Sequence, residues 1–161
     1  MKSPTDVTPV QQSALTVPRA FVLQERVRWA DVDLVGIMRF SAFTRLVELG
    51  EQELMRAAGL PYSMVFDAPE VWMPRRALGF EYFAPARVDD LLELRTFVSR
   101  MGETSMTLAQ EVIIVESVSS PAGTRVATAS MTVVCVSVAE FTKRPLPTIV
   151  RERLAPFLLT G

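Results

Sequence analysis

An α+β fold, one long helix against an antiparallel sheet, is what this 161-residue sequence predicts. Three observations carry the prediction. A single long segment, Ser41 to Ala58, repeats apolar residues at i, i+3, i+4 and i+7. After it, extended segments follow one another across short turns, as in hairpins. Apolar residues make up 49% of the chain, enough for one core in a single domain of this length. A helix with one apolar stripe and a sheet with one apolar face bury them against each other, so the sheet should wrap the helix.

Residues 1–19, MKSPTDVTPVQQSALTVPR, are polar and proline-rich and read as a mobile N-terminal tail, which leaves residues 20–161 as one domain. From Phe21 to Trp29 apolar and polar residues alternate, a strand signal. Asp31 to Arg39 is a connection containing Gly36. Ser41 is the expected N-cap of a helix running to about Ala58, with Phe43, Leu46, Val47, Gly50, Leu54, Ala57 and Ala58 on one face. Gly59 ends it, and Pro61 follows. Gly50 weakens a helix, so on the buried face it is expected where another backbone approaches closely.

Val71 to Phe83 is extended and continues through APAR to a turn at Asp89-Asp90. Leu92, Leu94, Thr96 and Val98 alternate with Glu93, Arg95, Phe97 and Ser99, a strand with one polar side. Met101-Gly102-Glu103 is a hairpin turn, and Thr104 to Glu116 a strand apolar on both faces. SSPAG (119–123) turns the chain into a last strand, Thr124 to Val138. Its alternate residues Ala127, Ala129, Met131, Val133 and Cys135 are small or apolar and suit a closely packed helix. Pro145 and Pro147 precede a short helix from about Thr148 to Leu158.

Composition removes several kinds of chemistry. A net charge of −1 provides no basic face for nucleic acid. One cysteine, Cys135 in the run MTVVCVSV, permits no internal disulfide and reads as a buried core residue. No apolar segment approaches the roughly 18 residues of a membrane span, and the N-terminus shows no apolar signal region, so the cytoplasm is the expected location. The chain has no histidine. Ser-His-Asp and Cys-His nucleophiles, histidine-dependent dehydration and histidine metal sites are therefore excluded. Chemistry here must rest on carboxylates, arginines and backbone dipoles.

The stretch VRWADVDLVGIM (27–38), followed by a helix ending Ala57-Ala58-Gly59-Leu60, resembles the hotdog-fold acyl-CoA thioesterases. The branch it is most similar to is that of the 4-hydroxybenzoyl-CoA thioesterase-like enzymes, the Tol–Pal-associated thioesterases among them. FEYFAPARVDDLLELRTFVSRMGETSMTLAQEVI (80–113) and VVCVSV…KRPLP carry the likeness onward, over roughly residues 20–150. The resemblance implies a hotdog fold, a long central helix wrapped by a five-stranded antiparallel sheet.

It also implies site residues. The second aspartate, Asp33, matches the family's catalytic carboxylate, acting as nucleophile or as general base toward water. The backbone N–H of Phe40, at the helix start, matches the donor to the thioester oxygen, where a free N–H and the helix dipole favour an oxyanion. On its residues alone, Asp33 would read as a turn aspartate bonding its own backbone, a role assigned to Asp31. Arg39-Phe40 stand where many relatives carry Tyr-His, which bears on substrate choice. Glu48 matches a helix carboxylate that orients water or contacts the acyl group; otherwise it is an exposed acid near Arg45. Gly102, Glu103 and Thr104 replace hairpin cations that grip phosphates in the benzoyl-CoA member. Arg76, Lys143 and Arg144 remain as phosphate contacts or as solvated surface charges.

The expected protein is an acyl-CoA thioesterase without metal or redox cofactor, assembled as a homodimer or homotetramer. Two rival readings stay open: a thioesterase acting on an acyl-carrier protein, and a hotdog domain that binds acyl thioesters without cleaving them.

Overall fold

The computed structural model describes residues 19–63 and 71–159. In chain order its elements are β1 (Phe21–Arg26), α1 (Phe40–Ala57), β2 (Val71–Trp72), β3 (Arg75–Tyr82), β4 (Leu91–Met101), β5 (Ser105–Glu116), β6 (Arg125–Val134), β7 (Val136–Ser137) and α2 (Thr148–Leu154). Five strands make one antiparallel sheet in the order β1-β4-β5-β6-β3, and β2 pairs with β7 apart from it. This is the expected helix and five-stranded sheet. The tail expected over residues 1–19 lies outside the described residues except for Arg19, whose N–H reaches the Pro156 carbonyl. No described helix is long and apolar enough to cross a membrane.

Alternation on β4 and β5 sets the sheet's inner face. Leu92, Leu94, Thr96 and Val98 are buried, and Leu94 stands opposite Val112. Against that face lies the stripe of α1, including Phe43, Leu46, Val47 and Leu54. The core has two halves. One surrounds Leu54, Leu108 and Val133 toward the helix C-terminus and takes in Val150 and Leu154 of α2. The other, with Met38, Phe43, Leu46, Ala86 and Ile114, lies under the start of α1 and supports the loop before it.

Local differences from the sequence expectation have physical causes. The first strand stops at Arg26, and Trp29–Asp31 forms a 3-10 turn instead of continuing it. Ser41 is not the N-cap; Arg39 is, with no side-chain bond, and Ser41 is already the second helical residue. On α1 Ala57 is exposed, while Met55 and the charged Glu51 are buried, so the stripe turns toward Glu51 at its C-terminal end. Gly59 has φ +74°, as a residue past a helix C-cap requires. Gly50 does permit close approach, by side chains rather than backbone: a Cβ there would lie 2.7 Å from Leu94 Cδ2 and 2.8 Å from Thr96 Oγ1. The C-terminal helix ends at Leu154 because Pro156 has no N–H to return to the preceding turn, and Ala155–Phe157 tightens to 3-10.

Candidate active site

The loop between β1 and α1 is held at both ends by Asp31. Its buried carboxylate accepts the Arg28 N–H at 2.9 Å and the Arg45 guanidinium at 3.0 Å, and its carbonyl accepts the Arg39 N–H at 2.8 Å. Arg45 also reaches Glu25 of β1 at 3.1 Å. Asp31 is thus more than a turn residue: it couples the loop to the second turn of α1.

Asp33 sits in a tighter turn within this frame. Its N–H donates to the Ile37 carbonyl at 2.9 Å, and its own carbonyl accepts the Gly36 N–H at 3.0 Å. Gly36 closes the turn at φ +79°, a region that favours glycine. Oδ1 of Asp33 accepts the Val35 N–H at 2.9 Å and the Ile37 N–H at 3.3 Å. The turn reading therefore describes one oxygen of Asp33. The second oxygen has no partner among the described residues, and the side chain is exposed.

Helix α1 then begins at Phe40, the seventh residue after Asp33. A first-turn N–H has no carbonyl one turn back, and no described acceptor meets that of Phe40 or Ser41. No acidic residue stands in this turn to offset the positive end of the helix. Ser41 is a second donor that an N-cap assignment conceals. Asp33, Arg39, Phe40, Phe43, Tyr82 and Phe83 share a cleft of about 770 Å³ closed by the Ala84–Ala86 segment. Tyr82 packs edge-on to Phe43 at 5.1 Å and stacks with Phe80 at 5.8 Å, making an apolar wall beside the carboxylate.

The other expected contacts do not line this cleft in a single chain. Glu48 is exposed on α1 on the side of Arg75. The buried helix carboxylate is Glu51, which bonds Arg75. Burial, and then Glu51 beside it, push the Tyr62 hydroxyl well above the usual tyrosine range. Burial alone would lower the pKa of Arg75, but Glu51 outweighs it and the net shift is upward. Arg76, Lys143 and Arg144 are exposed, Arg144 within 3.6 Å of Glu140. The Gly102-Glu103 hairpin is engaged by the chain itself: Arg151 of α2 donates to both carbonyls, at 2.6 and 2.8 Å.

Comparisons with known proteins bear on the family and the fold. Residues 27–154 match the family model of the thioesterase-like superfamily. Acyl-CoA thioester hydrolase YbgC of Escherichia coli is 30% identical over 122 residues, which cover 76% of this chain and 86% of that one. Among solved structures, a 1,4-dihydroxy-2-naphthoyl-CoA thioesterase from Synechocystis superposes with TM-score 0.76 at 20% identity, covering 85% of this chain and 96% of the other. The dynemicin thioesterase superposes with TM-score 0.76 at 17% identity, covering 89% and 100%. At such identities the superpositions establish the fold.

Proposed function

The chain belongs to the thioesterase-like superfamily, and we propose that it hydrolyses an acyl-CoA to the free acid and thiol with Asp33 as its working carboxylate. The observation that carries the proposal is the split environment of Asp33: one oxygen fixed by two backbone N–H groups, the other without a partner among the described residues, in a cleft shared with the start of α1. A thioester oxygen placed at the Phe40 N–H presents its carbon toward Asp33. Charge developing on that oxygen meets a fixed donor and the positive helix end, which cost no reorganisation. The acyl group lies along Phe43, Tyr82 and Phe83. The free oxygen of Asp33 then either attacks the carbon, expelling the thiolate and leaving an acyl–aspartyl anhydride that water hydrolyses, or takes a proton from a water that attacks the carbon itself. The thiolate leaves without an acid catalyst, so histidine is not needed.

The proposed assembly is a dimer formed at the open edge of β3, which brings two such clefts into one particle. Acyl-CoA and acyl-carrier-protein substrates share the thioester and the thiol arm, and both suit the site.

Asp33→Asn tests the proposal. It keeps an acceptor for the Val35 and Ile37 N–H groups and removes the charge. A general base contributes about 10²–10⁴-fold, so kcat should fall by at least that much with KM little changed. Single turnover in ¹⁸O-water tests the two routes: label in Asp33 itself marks a nucleophile whose anhydride water opens at the aspartyl carbonyl, whereas a general base leaves label only in the product acid. Near wild-type turnover by a folded Asp33→Asn protein would return the chain to the reading of an acyl-thioester-binding module.

A further inference from the structure

Asp33 and Arg39 stand on a ridge between two clefts, for both also line a second one of about 820 Å³. The rest of its wall includes Trp29, Leu34, Arg87 and Val118. The two clefts differ in chemistry. Aromatic rings dominate the first, whereas the second adds Arg87 to Arg39 and places no carboxylate beside them except Asp33.

Neither arginine of this cleft is among the eight that pair with carboxylates, a state shared elsewhere by the exposed Arg76, Arg100 and Arg153. Arg26, Arg28, Arg45, Arg56, Arg75, Arg95, Arg125 and Arg144 each pair with a carboxylate. The guanidinium of Arg87 has no ion pair or hydrogen bond among the described residues, and that of Arg39 donates only to the Ala30 carbonyl. Yet the backbone of Arg87 is held firmly. Its N–H donates to Asp90 Oδ2 at 2.8 Å, and it bridges Ile37, whose carbonyl accepts the Asp33 N–H. A fixed backbone beside the reacting carboxylate thus carries an uncommitted, exposed guanidinium.

We infer that the second cleft holds the phosphorylated arm of the leaving thiol, with Arg87 contacting a phosphate. The inference rests on the hydrolytic reading of Asp33. A thioester has two unlike arms diverging from one carbon, and two unlike clefts diverge from Asp33. The apolar cleft suits the acyl group, and the cationic one suits the arm that ends in phosphate. Guanidinium groups match phosphate with paired N–H donors. Trp29 (84% exposed) and Val118 (104% exposed) supply apolar surface for the uncharged middle of a pantetheine chain. The phosphate belongs either to coenzyme A or to the phosphopantetheine of a carrier protein.

The test is binding of free thiols, which needs no turnover. Calorimetry compares coenzyme A, 4′-phosphopantetheine and pantetheine on the wild type, Arg87→Gln and Arg87→Lys. Loss of one charge-assisted contact should weaken coenzyme A about tenfold in Arg87→Gln, with most of it recovered by Arg87→Lys. Pantetheine, without phosphate, should discriminate far less between the three proteins. Equal losses for coenzyme A and phosphopantetheine assign Arg87 to the phosphate that both carriers share. A loss for coenzyme A alone assigns it to the nucleotide end and excludes the carrier protein as source. Unchanged affinity for coenzyme A in Arg87→Gln, or an equal loss for pantetheine, overturns the inference. Failure of Asp33→Asn to lose turnover, with Arg87-dependent binding intact, would count against hydrolysis and leave this subsite standing.

Discussion

Arg45 Nη2 lies 3.0 Å from Asp31 Oδ2, so the carboxylate two residues before Asp33 is neutralised by the helix that Asp33 faces. The pair divides the work of the loop. Asp31, buried and ion-paired, sets where the loop leaves β1 and where α1 begins, and Asp33 is left with a free oxygen in the cleft. Asp31→Ala should therefore cost stability before chemistry. It strands the Arg28 N–H and leaves the Arg45 guanidinium with Glu25 alone, a loss of about 1–3 kcal/mol in urea unfolding. Turnover per folded molecule should fall much less than in Asp33→Asn; an equal collapse would show that the two aspartates act as one unit.

Gly50→Ala sets helix propensity against packing. Alanine improves an exposed helix position by about 1 kcal/mol over glycine. Here the new Cβ meets Leu94 Cδ2, Thr96 Oγ1 and Gln110 Nε2, all within 2.9 Å. Thr96 is stiff at χ1, and Gln110 is pinned by its bond to the Val47 carbonyl at 3.0 Å. Overpacking of about 1–3 kcal/mol should win, and the melting temperature should drop. A rise in melting temperature would mean that the sheet yields.

These two sites show what was legible in the sequence. Helix α1, its stop at Gly59 and the Asp33 turn follow from periodicity and turn chemistry, which act within a few residues. Glu51 and Gln110 were not legible, because each is a polar residue at a buried position whose partner lies far along the chain, Arg75 for one and Val47 for the other. The pairing of β3 with β6 spans a similar gap, and local alternation does not reveal it. Arg87 escaped for another reason: inside APAR it read as a turn residue, and only the Ile37 bridge brings it to Asp33.

The Glu51–Arg75 pair gives a double-variant prediction. Arg75→Met strands a carboxylate that is 3% exposed and should cost about 3 kcal/mol, the lower end for a buried pair because Arg75 itself is partly solvated. Glu51→Leu combined with Arg75→Met should recover much of that loss. If the double variant is no better than the single one, Glu51 is not the stranded charge.

Tyr62 beside this pair predicts an alkaline loss of stability. Burial first, then Glu51, raise its folded pKa above the reference value of 10.0. The unfolded chain therefore releases this proton first as pH rises. The contribution is complete below about pH 10 and is lost above it, at up to about 1.4 kcal/mol per pH unit. Tyr62→Phe should flatten the dependence of unfolding free energy between pH 10 and 11.5, and an unchanged slope would remove Tyr62 as its source.

The last prediction concerns assembly. Among the described residues β3 pairs only with β6, so the other edge of this eight-residue strand presents unpaired backbone. Natural edges of that length are shortened, broken by proline, or covered. This one carries no proline and no lysine, and Leu78, Tyr82 and the adjoining Phe83 and Trp72 are all more than 40% exposed beside it. Tyr82 and Phe83 also line the cleft at Asp33, so whatever covers the edge touches the candidate site. A second copy meeting β3 to β3 across a two-fold axis pairs both edges at once and closes the apolar side of each cleft. Sedimentation at micromolar concentration should give a dimer or a dimer of dimers, with activity falling on dilution below its dissociation constant. A stable, fully active monomer would overturn the assembly and leave the cleft to work as one chain.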